Sequence, residues 1–126
     1  MPHTIRFDGH IVRVAFSGVV NAAEVNAYAQ EIGAADASHA VVPDRLVDVR
    51  EVTDFDLRYE AVAAFVRERL SRETPNSFKA AVLAITPLQY GYLRMFQTLA
   101  EDSRIRLELF ADEAAALAWL SETRRA

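Results

Sequence analysis

Two spacings of apolar residues alternate along the chain, and the switches between them mark its elements. Ile5 and Phe7 sit between polar neighbours over 4–7, residues 11–16 alternate in the same way, and Asp8-Gly9 lies between the two runs. Alternation is the period of a half-buried strand, and Asp-Gly between two such runs predicts an opening hairpin, since its turn needs positive φ. The period then lengthens. Val25, Tyr28, Ala29 and Ile32 recur at three and four residues, which predicts a first helix capped by Asn21, with Glu24 as its reciprocal partner and Gly33 as its stop. Residues 34–44, with Asp36, Ser38, His39 and Pro43, lack periodicity and read as a loop.

Leu46, Val47 and Val49 form a short β-branched run of the kind found in strands covered on both faces. Residues 50–56 read as an acidic turn, after which Asp56 can cap a helix over 57–70 with Leu57, Ala61, Ala64, Phe65 and Leu70 along one stripe. Thr74 to Ser77 break the chain, and 78–85 is a nearly uninterrupted apolar run with one lysine, Lys79, at its start: a second interior strand. Thr86, Pro87 and Gln89 supply an N-cap, a first-turn proline and a capping-box glutamine for a helix over 87–101. Residues 105–110 give the last strand, and Asp112 caps a final helix over 113–122 that buries Leu117, Trp119 or Leu120.

The predicted order is β-β-α-β-α-β-α-β-α. Right-handed crossovers then build one α/β domain over 1–126, with a mostly parallel five-stranded sheet, an antiparallel first strand and four helices. In open sheets of this kind ligands and partners gather outside the carboxyl ends of the strands, which makes 50–56 the first place to look for function.

Composition narrows the chemistry. The 126 residues, 52% hydrophobic and 25% charged, are enough to bury a core without staples. Without cysteine there is no disulfide, thiolate nucleophile or zinc-thiolate site, which suits a reducing compartment. The first residues show no signal-peptide pattern and no apolar run reaches the ~20 residues of a membrane span, so the expectation is a cytoplasmic protein. Net charge is −4 and the arginines are dispersed, which argues against a nucleic-acid footprint.

Three stretches, in this order, resemble the STAS-type fold (sulfate transporter and anti-sigma-factor antagonist), and more closely its bacterial SpoIIAA-like branch: 14–21 entering the first helix, 46–56 after the central strand, and 110–114 with Ala118, Trp119 and Leu120 at the end. The resemblance implies a non-enzymatic regulatory module that needs no cofactor and acts by binding a protein partner or, as a homodimer, itself. Antagonists of this fold carry a phosphorylated serine after an aspartate at the start of the second helix. The matching position here is Asp56-Leu57, followed by Arg58, and the nearest preceding hydroxyl is Thr53, so no phosphorylation site transfers. The resemblance extends to CRAL-TRIO lipid-transfer domains, which implies the alternative of a carrier or sensor for a small apolar, lipid-like ligand.

Two groups of residues are candidates for contact with a partner or ligand. Tyr90, Tyr92, Met95 and Phe96 belong to a helix whose apolar surface is wider than one sheet-facing stripe requires, and tyrosine and methionine are enriched at interfaces. Core packing, with the tyrosine hydroxyls at its edge, explains the same pattern equally well. Thr53, Asp54 and Asp56 lie in the stretch after the central strand. Asp48, Glu51, Asp54 and Asp56 together would suit Mg²⁺ and a metal-dependent enzyme, but solvated turn residues and a helix cap account for them more simply. His3, His10 and His39 show no ligand spacing and read as surface residues, and Ser17 lacks the elbow a hydrolase nucleophile needs.

Overall fold

The computed structural model describes residues 3–71, 76–101 and 103–122, with Leu70 and Ser71 described by backbone alone. The side chain of Leu70 and the predicted break at Thr74 and Pro75 lie outside the described residues. Nine elements follow in the predicted order: β1 His3–Asp8, β2 Ile11–Asn21, α1 Ala22–Ala37, β3 Asp44–Asp56, α2 Tyr59–Ser71, β4 Phe78–Leu83, α3 Pro87–Leu99, β5 Ile105–Phe110 and α4 Glu113–Leu120. The sheet order is β1-β2-β3-β4-β5, with β1 antiparallel to β2 and every other pair parallel.

That order decides where the helices go. Each crossover from β2 to β5 steps to the next strand in the same direction, and crossovers of one hand stepping one way put their helices on one face. Accordingly α1, α2 and α3 pack on one face around Val20, Val49, Val52, Phe55, Val62, Val82 and Leu93, with Val12, Val14, Tyr28 and Ile32 beside them. Only α4 covers the other face, where Ala116 and Leu120 meet Leu46, Ala81 and Leu83.

Local signals hold where the chain needs nothing distant to satisfy them. Asn21 Oδ1 accepts from the Glu24 N–H, Thr86 and Gln89 close a full capping box behind Pro87, and Asp112 accepts from the Ala115 N–H. Four expectations need correction. The hairpin pairs Asp8 with Ile11, so the two loop residues are Gly9, at φ 65°, and His10, rather than Asp8 and Gly9. Gly33 does not end α1, which runs on to a C-cap at Ser38. Burial of Ile32 and Asp36 on either side of the glycine outweighs its helix cost of about 1 kcal/mol.

The third correction concerns 50–56, which is strand and not turn. β2 and β3 continue past the end of β4 as a two-stranded ribbon, pairing Ser17 with Glu51 and Asn21 with Asp56. The register shifts twice, between Ala15/Ser17 and Gly18/Val19, where β3 spends three residues against two and then two against one. Each shift is a bulge that inserts one extra residue and resets the alternation. As a result Val49, Val52 and Phe55, spaced by three, all face inward. Gly18, at φ 69°, sits at the second shift, in a conformation only glycine adopts freely. Fourth, Asp56 is the last strand residue and caps nothing; α2 starts at Tyr59, where Arg58 O accepts from the Ala61 and Val62 N–H groups.

Candidate functional site

Where β4 stops at Leu83, β3 continues without a neighbour on that side, and the carbonyls it turns there would be left unpaired. Gln89 fills the gap. Its Nε2 donates to Arg50 O (3.2 Å) and Val52 O (3.0 Å), while its Oε1 accepts from the Ile85 (2.8 Å) and Thr86 (3.2 Å) N–H groups. One side chain, 1% exposed, thus pairs both strand ends and fixes α3 beside the ribbon. Sequence reasoning finds only its capping role, because the second pair of partners is 37 and 39 residues away.

The two candidate groups meet at this end of the sheet. Tyr92 stacks on Phe55 (centroids 4.7 Å apart) and donates from its hydroxyl to Leu57 O (3.0 Å), so α3 tethers the link between β3 and α2. Phe96 packs edge to face on Phe65 at 5.6 Å, and Tyr90 and Met95 are half-buried against the same core. Thr53, Asp54 and Asp56 are exposed on the ribbon. Val19, paired with Asp54 across the ribbon, Tyr59 at the start of α2, and Ile85 and Leu88 just past the end of β4 are four of the six large hydrophobic side chains left exposed among the described residues. Glu51, Arg58 and Glu60 are exposed there too, giving that end a charged rim with acids in excess.

The four acids weighed as a metal set separate along the strand. Extended backbone spaces them at about 3.3 Å per residue. Asp54 Oδ1 accepts from the Phe55 N–H, and Asp48 turns to the α4 face, where Arg50 grips it twice (Nε–Oδ1 3.0 Å, Nη2–Oδ2 2.9 Å). Among the described residues no three His, Asp or Glu side chains converge to hold a metal. Burial is the largest single influence on Asp48 and pushes its pKa up, but the hydrogen bonds and charge of Arg50 outweigh it, leaving the carboxyl below its ordinary range. Arg50 is correspondingly held above the ordinary guanidinium value by Asp48, as Arg13 is by Asp8. Glu113, at the start of α4, reaches both arginines (3.5 and 3.4 Å) and pins that helix to the sheet.

Two buried cations lie under the opposite faces. Lys79, 4% exposed, donates to Trp119 O (2.9 Å) and Glu122 O (3.3 Å) at the end of α4, with the Trp119 ring 5.1 Å away. Arg45, 2% exposed, points to the three-helix face and binds Asp36 of α1 (Nη2–Oδ1 2.9 Å). Sequence reasoning passed over Arg45, although its alternation with Val47 and Val49 assigns it to the inward face. A third group overturns an expectation: His3 is buried rather than on the surface, between Glu24 and Glu31 of α1 and against the Phe16 and Tyr28 rings. His10 and His39 are exposed, as expected.

Between the sheet and α1 to α3 lies a partly open cavity of about 130 Å³. Apart from Arg45, Arg69 and Tyr28 its walls are apolar, and Phe96 is the one member of the aromatic candidate group that reaches it. A second hollow, about 160 Å³, opens between α1 and α2 and shares Val25, Leu57, Phe65 and Phe96 with the first. No described helix is long and apolar enough to cross a membrane.

No protein-family model matches the sequence, and neither does any curated protein. Solved structures do match. The chain is similar to an uncharacterized protein of the DUF3478 family with a SpoIIAA-like fold from Shewanella loihica PV-4, at TM-score 0.63 and 16% identity, over 94% of this chain and 91% of that one. It is also similar to an anti-sigma factor antagonist from Mycobacterium paratuberculosis, at TM-score 0.60 and 20% identity, over 95% and 93%. The fold is therefore the STAS-type, SpoIIAA-like one.

Proposed function

We propose that this chain is a non-enzymatic regulatory module that binds a protein partner through the carboxyl end of its sheet. The observation that carries the reading is that Val19, Tyr59, Ile85 and Leu88, all apolar, stand exposed on the elements at this end, along with Glu51, Asp54, Asp56, Arg58 and Glu60. An apolar centre with a charged rim is the anatomy of a transient interface. The fold shared with an anti-sigma factor antagonist supports the same class of function. Tyr92 serves this surface from beneath, by holding the β3–α2 link that presents Asp56 and Tyr59, while Phe96 and Met95 pack against the core below. The excess of acids in the rim selects a partner with a basic surface and disfavours a second copy, since like charges face to face cost several kcal/mol.

A photo-reactive residue placed at Tyr59, in the cell that encodes the protein, is expected to give one adduct of defined mass, heavier than a dimer of the chain would account for by itself. The same residue at Arg106, at the other end of β5, is expected to give none. A dimer-sized adduct would assign the surface to self-association, and equal adducts from both positions would end the proposal.

A further inference from the structure

We infer that the cavity beneath α1 to α3 is a binding site for a small monocarboxylate with an apolar body, and that Arg45 is its anchor. The reasoning starts from Arg45 itself. A guanidinium carries five N–H donors and accepts nothing, and buried donors are nearly always paired. Here Nη2 reaches Asp36 Oδ1 (2.9 Å) and, more weakly, Pro43 O (3.5 Å), while among the described residues the enclosed Nε and Nη1 have no acceptor and the enclosed Asp36 Oδ2 receives no hydrogen bond. The ring of Phe78 lies 4.2 Å from the guanidinium carbon, so the π face is occupied and the unused capacity is in the N–H edge. Asp36 engages only Nη2, so the Nε and Nη1 edge keeps capacity for a second anion.

The cavity defines the remainder of the ligand. Arg45 lines it, and Arg69, whose Nη2 stands 3.7 Å from Asp36 Oδ2, is the second cation of that wall. Beyond these two the lining is aliphatic and aromatic apart from Tyr28. This lining offers water few partners, since a held water needs two to four polar groups at once, whereas an apolar cavity of roughly this size takes up benzene. The body of the ligand is therefore about as large as a benzene ring, or a chain of about six to eight carbons. A carboxylate suits the polar end. It accepts charge-assisted bonds from the enclosed N–H groups, whereas an alcohol or an amine supplies no charge of the needed sign. A phosphate dianion would ask for more donors than this wall holds. The hollow between α1 and α2 adjoins the cavity across the Phe65 and Phe96 rings, so parting of that pair gives room for a longer chain.

This site lies inside the three-helix face, apart from the exposed surface proposed for the protein partner, and either stands if the other fails. The test uses the full chain with octanoate, octanol and octylamine as probes, measured by isothermal titration and thermal shift. Octanoate is expected to bind at least tenfold more tightly than octanol, with octylamine weakest, and to raise the Tm. Arg45→Met is expected to abolish the preference for octanoate over octanol, and Arg45→Lys to restore part of it. Should Arg45→Met fail to fold, Ala80→Leu, which fills the cavity wall and leaves Arg45 in place, is expected to weaken octanoate by at least tenfold. Equal binding of octanoate and octanol, no binding of octanoate, or unchanged octanoate affinity in Ala80→Leu would overturn the inference.

Discussion

The two faces of the sheet each enclose one cation, and they treat it differently. Under α4 the ammonium of Lys79 is met by two carbonyls at the end of a helix, where the macrodipole also favours positive charge. Under α1 to α3 the guanidinium of Arg45 has, among the described residues, one carboxylate partner and two enclosed nitrogens without an acceptor. A single short helix covers the first face, where Ala116 and Leu120 meet Leu46, Ala81 and Leu83, whereas three helices converge on the second and leave a cavity. A buried charge with all its partners is part of the framework; one lacking partners beside a cavity is a receptor that the framework holds ready. The three-helix face keeps that receptor at a cost in stability, and the α4 face does not.

The sharpest way to break the comparison is Asp36→Ala, which strips Arg45 of its only carboxylate. Loss of one partner from a buried ion pair costs about 3–5 kcal/mol, and urea unfolding is expected to show a loss of that size. On the other face Lys79→Met keeps the stem and removes the donor, and hydrogen bonds to a charged group contribute about 1.5–3 kcal/mol. The same assay is expected to show that smaller loss, with α4 amide exchange accelerated more than that of α1. If the two variants proved equally costly, or the order reversed, the distinction between framework and receptor would fail.

Smaller effects refine it. Ala80→Leu reduces the cavity, and cavity filling commonly adds about 0.5–2 kcal/mol; a higher Tm without added ligand would show that the hollow is an unfilled cost. Smallest is the acid limb on the α4 face. Asp48 has its folded pKa below the unfolded value, so its pairing with Arg50 stabilises above the unfolded pKa and is lost as pH falls through the folded one. The pair is partly exposed, which limits it to under about 1 kcal/mol. Asp48→Asn is expected to flatten the acid end of a stability–pH curve by that little and to leave the curve at neutral pH nearly parallel to that of the parent.

What was legible in the chain was what short segments settle alone. Asn21, Thr86-Pro87-Gln89 and Asp112 cap their own helices within three residues, and the 78–83 run is a buried strand because nothing in it is polar except Lys79. The course of β3 through 50–56 was not legible. Val49, Val52 and Phe55 recur every three residues, which contradicts a regular strand until two bulges against β2 absorb the difference. Of the candidate residues, Thr53, Asp54 and Asp56 do stand exposed where the sheet ends, but on a strand instead of a turn, and Tyr92 supports them from below. His3 was misread because its partners, Glu24 and Glu31, come to it only when α1 folds back over β1.

By itself, then, the sequence determined the order of elements, their caps and the class of fold, since these rest on periodicity and on contacts within a turn. Tertiary structure alone decided which face each helix covers, where β3 ends, that Gln89 closes the gap beside it, and that Arg45 and Asp36 meet with two donor nitrogens to spare. Those outcomes depend on groups brought together from distant parts of the chain, whose desolvation and pairing no local pattern records.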